Sequence, residues 1–267
     1  MVQVTSDVLC VDGVGLAFDR GRDRVSVLED VSLSVGVGEI VAVVGSRSQG
    51  KTTLIRVAAG MLSPDRGRVV FDGRDLAVLK DREISEVWAR GIGVAARSGP
   101  EARVRVREYV QLRLRARRWR WSWPWHWDLD WRERRREQRL RVTGVLEELG
   151  ISGCADMRWD ELSNWQRVLV ELAQAVVVHP RLLLVDDLMD GFGLREKQAM
   201  MDLLEDFASE WGCGVLMAVS DHASALRSVR VWQLARRRLE LMADHTGPDV
   251  IALHTHRDEN RARWAGP

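Results

Sequence analysis

Directly after the apolar run Ile40-Val41-Ala42-Val43-Val44 stands Gly45-Ser46-Arg47-Ser48-Gln49-Gly50-Lys51-Thr52-Thr53, and this stretch restricts what the chain can fold into. Glycine bounds the loop at both ends, so the backbone can curl and aim successive N–H groups at an anion. Lys51 supplies a point charge for the β- and γ-phosphates of a nucleotide, and the Thr52 hydroxyl suits Mg²⁺. The segment Thr53-Leu54-Ile55-Arg56-Val57-Ala58-Ala59 has helical composition and stops at Gly60. The phosphates would then sit at a helix N-terminus, where free amides and the dipole favour negative charge. Strand, loop and helix in this order predict a phosphate-binding loop within an α/β core.

At 267 residues and 30.3 kDa the chain can bury a core as one large α/β domain, alone or with a subdomain. A formal charge of +1 argues against a generic nucleic-acid binder, although arginines crowd the stretch from Arg103 to Arg141. Cys10, Cys154 and Cys213 are far apart and form no metal-type pair, which suits a reducing cytosol. No apolar run approaches the ~20 residues of a membrane span, and Met1-Val2-Gln3-Val4-Thr5 lacks the charged and apolar regions of a signal peptide. The expectation is a chain soluble by itself, with any membrane spans supplied by another. Ahead of the loop, Val8-Leu9-Cys10-Val11, Val14 to Phe18, Val25 to Leu28 and Val31 to Val35 alternate with turn signals and read as short antiparallel strands. Phe18 has two readings, core packing or a flat surface for a purine ring.

Past the first helix, Ser63-Pro64-Asp65-Arg66-Gly67-Arg68-Val69-Val70-Phe71-Asp72-Gly73-Arg74-Asp75-Leu76 reads as turn, strand and Asp-Gly turn. A phosphate loop followed at this distance by P-D-x-G-x-V-x-x-D-G-x-D-L resembles the ATP-binding subunits of ABC transporters, and the resemblance continues through Leu234. It implies a P-loop NTPase core with a mostly parallel sheet, an N-terminal antiparallel β-subdomain and an inserted helical subdomain. On this basis residues 1–243 form the ATP-binding domain, with the helical subdomain at about 99–167, and residues 244–267 a polar tail. The resemblance also implies MgATP as ligand, held by Phe18, Gly45, Ser46, Arg47, Ser48, Gln49, Gly50, Lys51, Thr52 and Thr53.

The family's remaining motifs match unevenly. The strand Ile92 to Ala96 ends in Arg97 where the family has a glutamine touching metal and water; an arginine donates only, so it can pair with phosphate or simply start an exposed loop. Helices are expected from Val106 to about Arg118 and from about Arg132 to Leu149, ended by Gly150. Between them, residues 119–131 place tryptophan at every second position around Pro124. This insertion reads as rings folded on its own helices, as a membrane-side contact of Trp and Arg, or as a surface for single-stranded nucleic acid. The family's L-S-G-G-Q, which clamps the ATP of the opposite subunit, survives here as Leu162, Ser163 and Gln166. Asn164 and Trp165 replace its glycines, and Trp165 falls in phase with the apolar stripe 168, 169, 172 and 176, with Ser163 as N-cap.

Arg181 to Asp187 reads as a buried strand ending in two carboxylates, a Walker B pattern: Asp186 fits the Mg²⁺ acid alongside Thr52. Asp187 takes the place of a water-polarising glutamate and is shorter by about 1.5 Å. Gly193 stands where the family has an aspartate. Gly214 to Ser220 reads as the last parallel strand, and Val229 to Leu234 as a closing edge strand. After Ser220 the family places a phosphate-contacting histidine; here Asp221 precedes His222, and Asp221 would repel phosphate.

The binding residues are therefore kept, and the hydrolysing and coupling residues are altered at Arg97, Asn164-Trp165, Asp187, Gly193 and Asp221. The expectation is an ABC-type ATP-binding subunit that is cytoplasmic and peripheral on the inner face of the cell membrane. It serves a membrane-spanning permease on a separate chain, as a homodimer or a heterodimer with a second ATP-binding subunit, with weak hydrolysis. An alternative is a non-catalytic, nucleotide-gated structural or regulatory subunit paired with a competent ATPase. A nucleic-acid role is disfavoured.

Overall fold

A computed structural model describes residues 7–21, 23–116, 131–225 and 227–245. The order of elements is β1 (Asp7–Arg20), β2 (Asp23–Gly36), β3 (Ile40–Val44), α1 (Lys51–Ala58), β4 (Arg66–Phe71), β5 (Arg74–Asp75), α2 (Asp81–Arg90) and β6 (Ile92–Ala96). It continues with α3 (Val106–Ala116), α4 (Trp131–Glu148), α5 (Asn164–Val176), β7 (Leu182–Asp186), α6 (Leu194–Trp211), β8 (Gly214–Val219), β9 (Arg230–Ala235) and β10 (Arg238–Asp244). Two sheets result: an antiparallel one ordered β2-β1-β4-β5, and a larger one ordered β10-β9-β3-β8-β7-β6. In the larger sheet every pairing is parallel except β9 with β10. This is the expected α/β class, a mostly parallel core beside an antiparallel N-terminal sheet, with α3 to α5 as the helical layer.

The central strands are near-continuous apolar runs because both faces of the sheet are covered. Alternation decides which side chain goes where: Leu183 and Val185 of β7, Ala42 of β3 and Met217 of β8 join the core under α3 to α6. Leu182 and Leu184, Val41 and Val43, and Leu216 point the other way, into a second core against α1 and the antiparallel sheet. The sheet is thus the wall between two cores.

The structure corrects three details of the sequence reading. The four short N-terminal runs are two 14-residue strands, because Asp12-Gly13 and Glu29-Asp30 do not turn the chain. They lie at register shifts of the β1–β2 ladder, with Gly13 and Asp30 at positive φ, and bulges absorb extra residues without ending a strand. The strand β8 is not the last parallel one, since β9 pairs in parallel with β3. Nor is β9 the edge: β10 closes the sheet and runs through Asp244, with Arg236 and Arg237 in left-handed conformation at the turn between them. The Trp-rich stretch falls outside the described residues except for Trp131, the first residue of α4. Among the described residues no helix is long and apolar enough to cross a membrane.

Leu184 is fully buried in the sheet's second core. Leu184→Ala removes transfer energy and leaves a cavity, so urea unfolding should show a loss of roughly 2–5 kcal/mol.

Candidate nucleotide site

The ends of β3, β6, β7 and β8 place the site. The pairs Val44↔Val219, Asp186↔Ala218 and Ala96↔Asp186 align the strands' last residues, so Gly45, Ser220, Asp187 and Arg97 leave the sheet side by side. Open parallel sheets bind ligands at this carboxyl edge.

The loop from Gly45 to Gly50 turns in left-handed conformations at Ser48, φ 65°, and Gly50, φ 100°. Gly50 packs so closely on β2 that a Cβ there would lie 3.0 Å from Val27 Cγ1 and 3.1 Å from the Val27 carbonyl. At Gly45 a Cβ would come within 2.9 Å of the Leu234 carbonyl, which accounts for both bounding glycines. The side-chain carbonyl of Gln49 accepts the Ser46 N–H at 3.0 Å. Thr53 is the third residue of α1.

Lys51 is 4% exposed and has several partners. Its Nζ donates to the carbonyls of Gly45 at 2.7 Å and Ser46 at 3.3 Å, and to Ser220 Oγ at 3.2 Å, and lies 3.2 Å from Asp187 Oδ2. Ser220 in turn donates to Asp187 Oδ1 at 3.0 Å. Thr52 Oγ1 donates to Asp186 Oδ1 at 3.1 Å, which brings together the two groups expected to hold a metal. Burial raises the Asp186 pKa above the ordinary carboxylate value; the Thr52 hydrogen bond opposes this and the Asp187 charge adds to it. Asp187 has φ 49°, a left-handed conformation that aspartate tolerates better than most side chains. The residues fit Mg-nucleotide: a glycine-shaped loop, a lysine facing it, and a hydroxyl–carboxylate pair beside it.

Arg97 and Trp165 meet through Phe192. Arg97 donates to the Leu188 carbonyl at 2.9 Å and to the Asp190 carbonyl, and its guanidinium lies 5.2 Å from the Phe192 ring centre. Phe192 meets Trp165 edge to face, with centroids 5.4 Å apart. Trp165 thus packs on the loop after β7 and on the helical core, while Asn164 is exposed. Ser163 Oγ accepts the Gln166 N–H at 3.2 Å and the Gln166 side chain accepts the Ser163 N–H at 2.9 Å, a reciprocal cap for α5. Asp221 is committed elsewhere: Lys197 Nζ donates to it at 2.7 Å, and the Ser224 hydroxyl and N–H donate at 2.9 Å each. These partners outweigh burial and hold its carboxyl below the usual range, so its charge is offset within the chain. His222 is exposed.

Phe18 is 43% exposed and pairs across the hairpin with Val25, itself 42% exposed. Val27, the side chain against Gly50, lies two residues further along β2, at a register shift of the ladder. Sequence reasoning missed Ser220, Asp190 and Lys197 as partners. Asp190 accepts from Arg47 at 2.7 Å, and nothing local in the sequence marks that pairing across 143 residues.

Comparison with known proteins agrees with this geometry. The ABC transporter family profile matches residues 28–189, and the chain belongs to that family, with the fold of its ATP-binding subunits. The chain is 29% identical over 235 residues to the lipoprotein-releasing system ATP-binding protein LolD of Cereibacter sphaeroides, covering 88% of this chain and 99% of that one. It is 30% identical over 207 residues to the methionine import ATP-binding protein MetN 1 of Rhodococcus jostii; the match covers 78% of this chain but spans only 57% of that relative's length. Among solved structures, the dimeric bacterial ABC transporter cassette MJ0796 superposes with a TM-score of 0.78 at 22% identity, over 90% of this chain and 99% of that one.

Removing the α5 cap by Ser163→Ala should cost about 1 kcal/mol in chemical unfolding. Ser163→Asn, which keeps a capping oxygen, should cost less.

Proposed function

We propose that this chain is the ATP-binding subunit of an ABC transporter that binds MgATP at Gly45–Thr53, works beside a separate membrane-spanning subunit, and hydrolyses ATP weakly. The observation that carries the proposal is the meeting of Lys51, Thr52 and Asp186 at one strand edge beside the glycine-bounded loop. Loop amides and Lys51 bind and orient the phosphates, and Phe18 offers a face to the base. Thr52 and Asp186 would hold Mg²⁺, which would offset the charge of the phosphates. Weak hydrolysis is supported by Asp187, whose carboxylate is drawn back onto Lys51 and Ser220 where a general base needs hydrogen-bond reach to its water. The clamp for an opposite subunit's ATP is supported only in part, because Trp165 and Asn164 bring side chains where the family has bare backbone.

Contact with a membrane subunit is supported by a cleft of about 310 Å³ that runs from Asp186 and Ala96 to Trp88, Tyr109, Arg113 and Glu171. A partner seated there would touch both the metal acid and the helical layer. Glu171, 3% exposed, is fixed by the Tyr109 hydroxyl at 3.0 Å and by the Gly99 N–H, so the cleft has a rigid wall. The named relatives differ in cargo and direction, methionine import for one and lipoprotein release for another, and no cargo is proposed. The alternative, a nucleotide-gated subunit paired with a competent ATPase, draws on the same altered positions and differs only in having no turnover of its own.

Calorimetry of the full chain should show MgATP binding that Lys51→Ala weakens at least tenfold, since about 1.5–3 kcal/mol attends hydrogen bonds to a charged group. Steady-state turnover of the chain alone should be slow, and Asp187→Glu should raise it. Vigorous Lys51-dependent turnover by the unmodified chain would contradict the weak-hydrolysis part and leave the binding part standing. Deleting residues 119–131 should leave ATP affinity intact and reduce co-sedimentation with native-host membranes; unchanged co-sedimentation would remove the membrane-contact reading of that insertion.

A further inference from the structure

Lys51, Arg97, Lys197 and Arg47 stand around the edge where phosphates are proposed to bind, and they differ in how firmly they are held. Lys51 is buried among two carbonyls, a hydroxyl and Asp187. Arg97 is tied to two backbone carbonyls and lies over the Phe192 ring. Lys197, its side chain 20% exposed, is paired with Asp221. Arg47 differs: its side chain is 82% exposed and its contact is a single hydrogen-bonded ion pair, to Asp190 at 2.7 Å. An exposed pair of this kind is held weakly, so the guanidinium can leave it at small cost.

The two halves of that pair are unequal. Asp190 sits in a loop whose backbone Arg97 pins at two carbonyls and whose Phe192 is wedged against Trp165, so its carboxylate stays in place. Arg47 lies in the phosphate loop itself and reaches to Asp190 after β7, the side on which Thr52 and Asp186 would hold the metal beside the terminal phosphates. Asp187 adds a weaker attraction to that of Asp190, so the guanidinium is drawn toward the strand end that carries both acids.

We propose that Arg47 reads the terminal phosphate of the nucleotide, exchanging Asp190 for the γ-phosphate and so setting the preference for ATP over ADP. The inference rests on the ATP-binding reading above. A guanidinium presents a planar fork of donors that suits phosphate oxygens, and a diphosphate offers it no γ-phosphate to take. Asp190 acts as a positioning residue: it parks Arg47 beside the loop until a terminal phosphate competes for it.

The test is calorimetry of the full chain with MgATP and, separately, MgADP. Arg47→Ala should weaken MgATP binding about tenfold or more and MgADP binding less than about twofold, as expected when one charge-assisted contact made only to the triphosphate is lost. Arg47→Lys should restore part of the ATP preference, because it keeps the charge without the fork. Asp190→Asn should strengthen MgATP binding and leave MgADP unchanged, because Arg47 no longer gives up an ion pair. Equal losses for both nucleotides, or an unchanged ATP-to-ADP ratio in Arg47→Ala, would overturn the inference while the ATP-binding reading survives. Failure of the unmodified chain to take up either nucleotide would overturn both.

Discussion

The common register of β3, β6, β7 and β8 is the constraint on which the site depends. Because these strands are parallel and end level with one another, four segments distant in sequence leave the sheet at the same edge. The register is held by burial on both faces: a one-residue slip of β7 would move Leu183 and Val185 out of one core and Leu182 and Leu184 out of the other. The same slip would carry Asp186 away from Thr52. Core packing and the Thr52–Asp186 contact are therefore set by one alignment.

Two side chains singled out in the sequence, Arg97 and Trp165, are physically coupled. Arg97, Phe192 and Trp165 form one stack, in which the guanidinium covers one ring and that ring meets the next. A glycine at 165 would leave Phe192 without its neighbour, and a glutamine at 97 would carry a side-chain donor without the guanidinium's charge over the Phe192 ring. Arg97 and Trp165 are thus joined through Phe192, with Trp165 also joining the helical core. On the proposed reading, this stack stiffens the loop after β7 and carries Asp190 with it, while the backbone at the start of α5 is screened by side chains. Contact within the chain has taken the place of open backbone.

Much of this was legible in the sequence, and the limits have a physical origin. Gly45, Gly50, Lys51 and Thr52 declare themselves because their chemistry is local, as does the Ser163–Gln166 cap. The strands β7 and β8 are legible because burial on two faces leaves unbroken apolar runs. The place of β9 beside β3 is not, since pairing between distant strands leaves no mark on either one alone. Nor are the bulges of β1 and β2, where Asp-Gly and Glu-Asp steps look like turns but only add a residue to a continuing ladder. The roles of Ser220, Asp190 and Lys197 needed the fold, because each acts through a partner supplied by another segment.

The electrostatics of the edge explain why binding and hydrolysis can separate. A buried ammonium must be paired, and Asp187 with Ser220 and two carbonyls satisfies Lys51. On the proposed reading phosphate enters by exchange, and the net gain is the difference between two well-satisfied states. Asp187 serves this exchange because a short carboxylate in a left-handed turn can reach back to Lys51 and across to Ser220 at once. That same reach engages it with the lysine, and on the proposed reading a carboxylate so engaged is poorly placed to act as a general base. The geometry that keeps the loop's lysine satisfied is thus the geometry that withholds a base, so one short side chain accounts for both halves of the proposed behaviour.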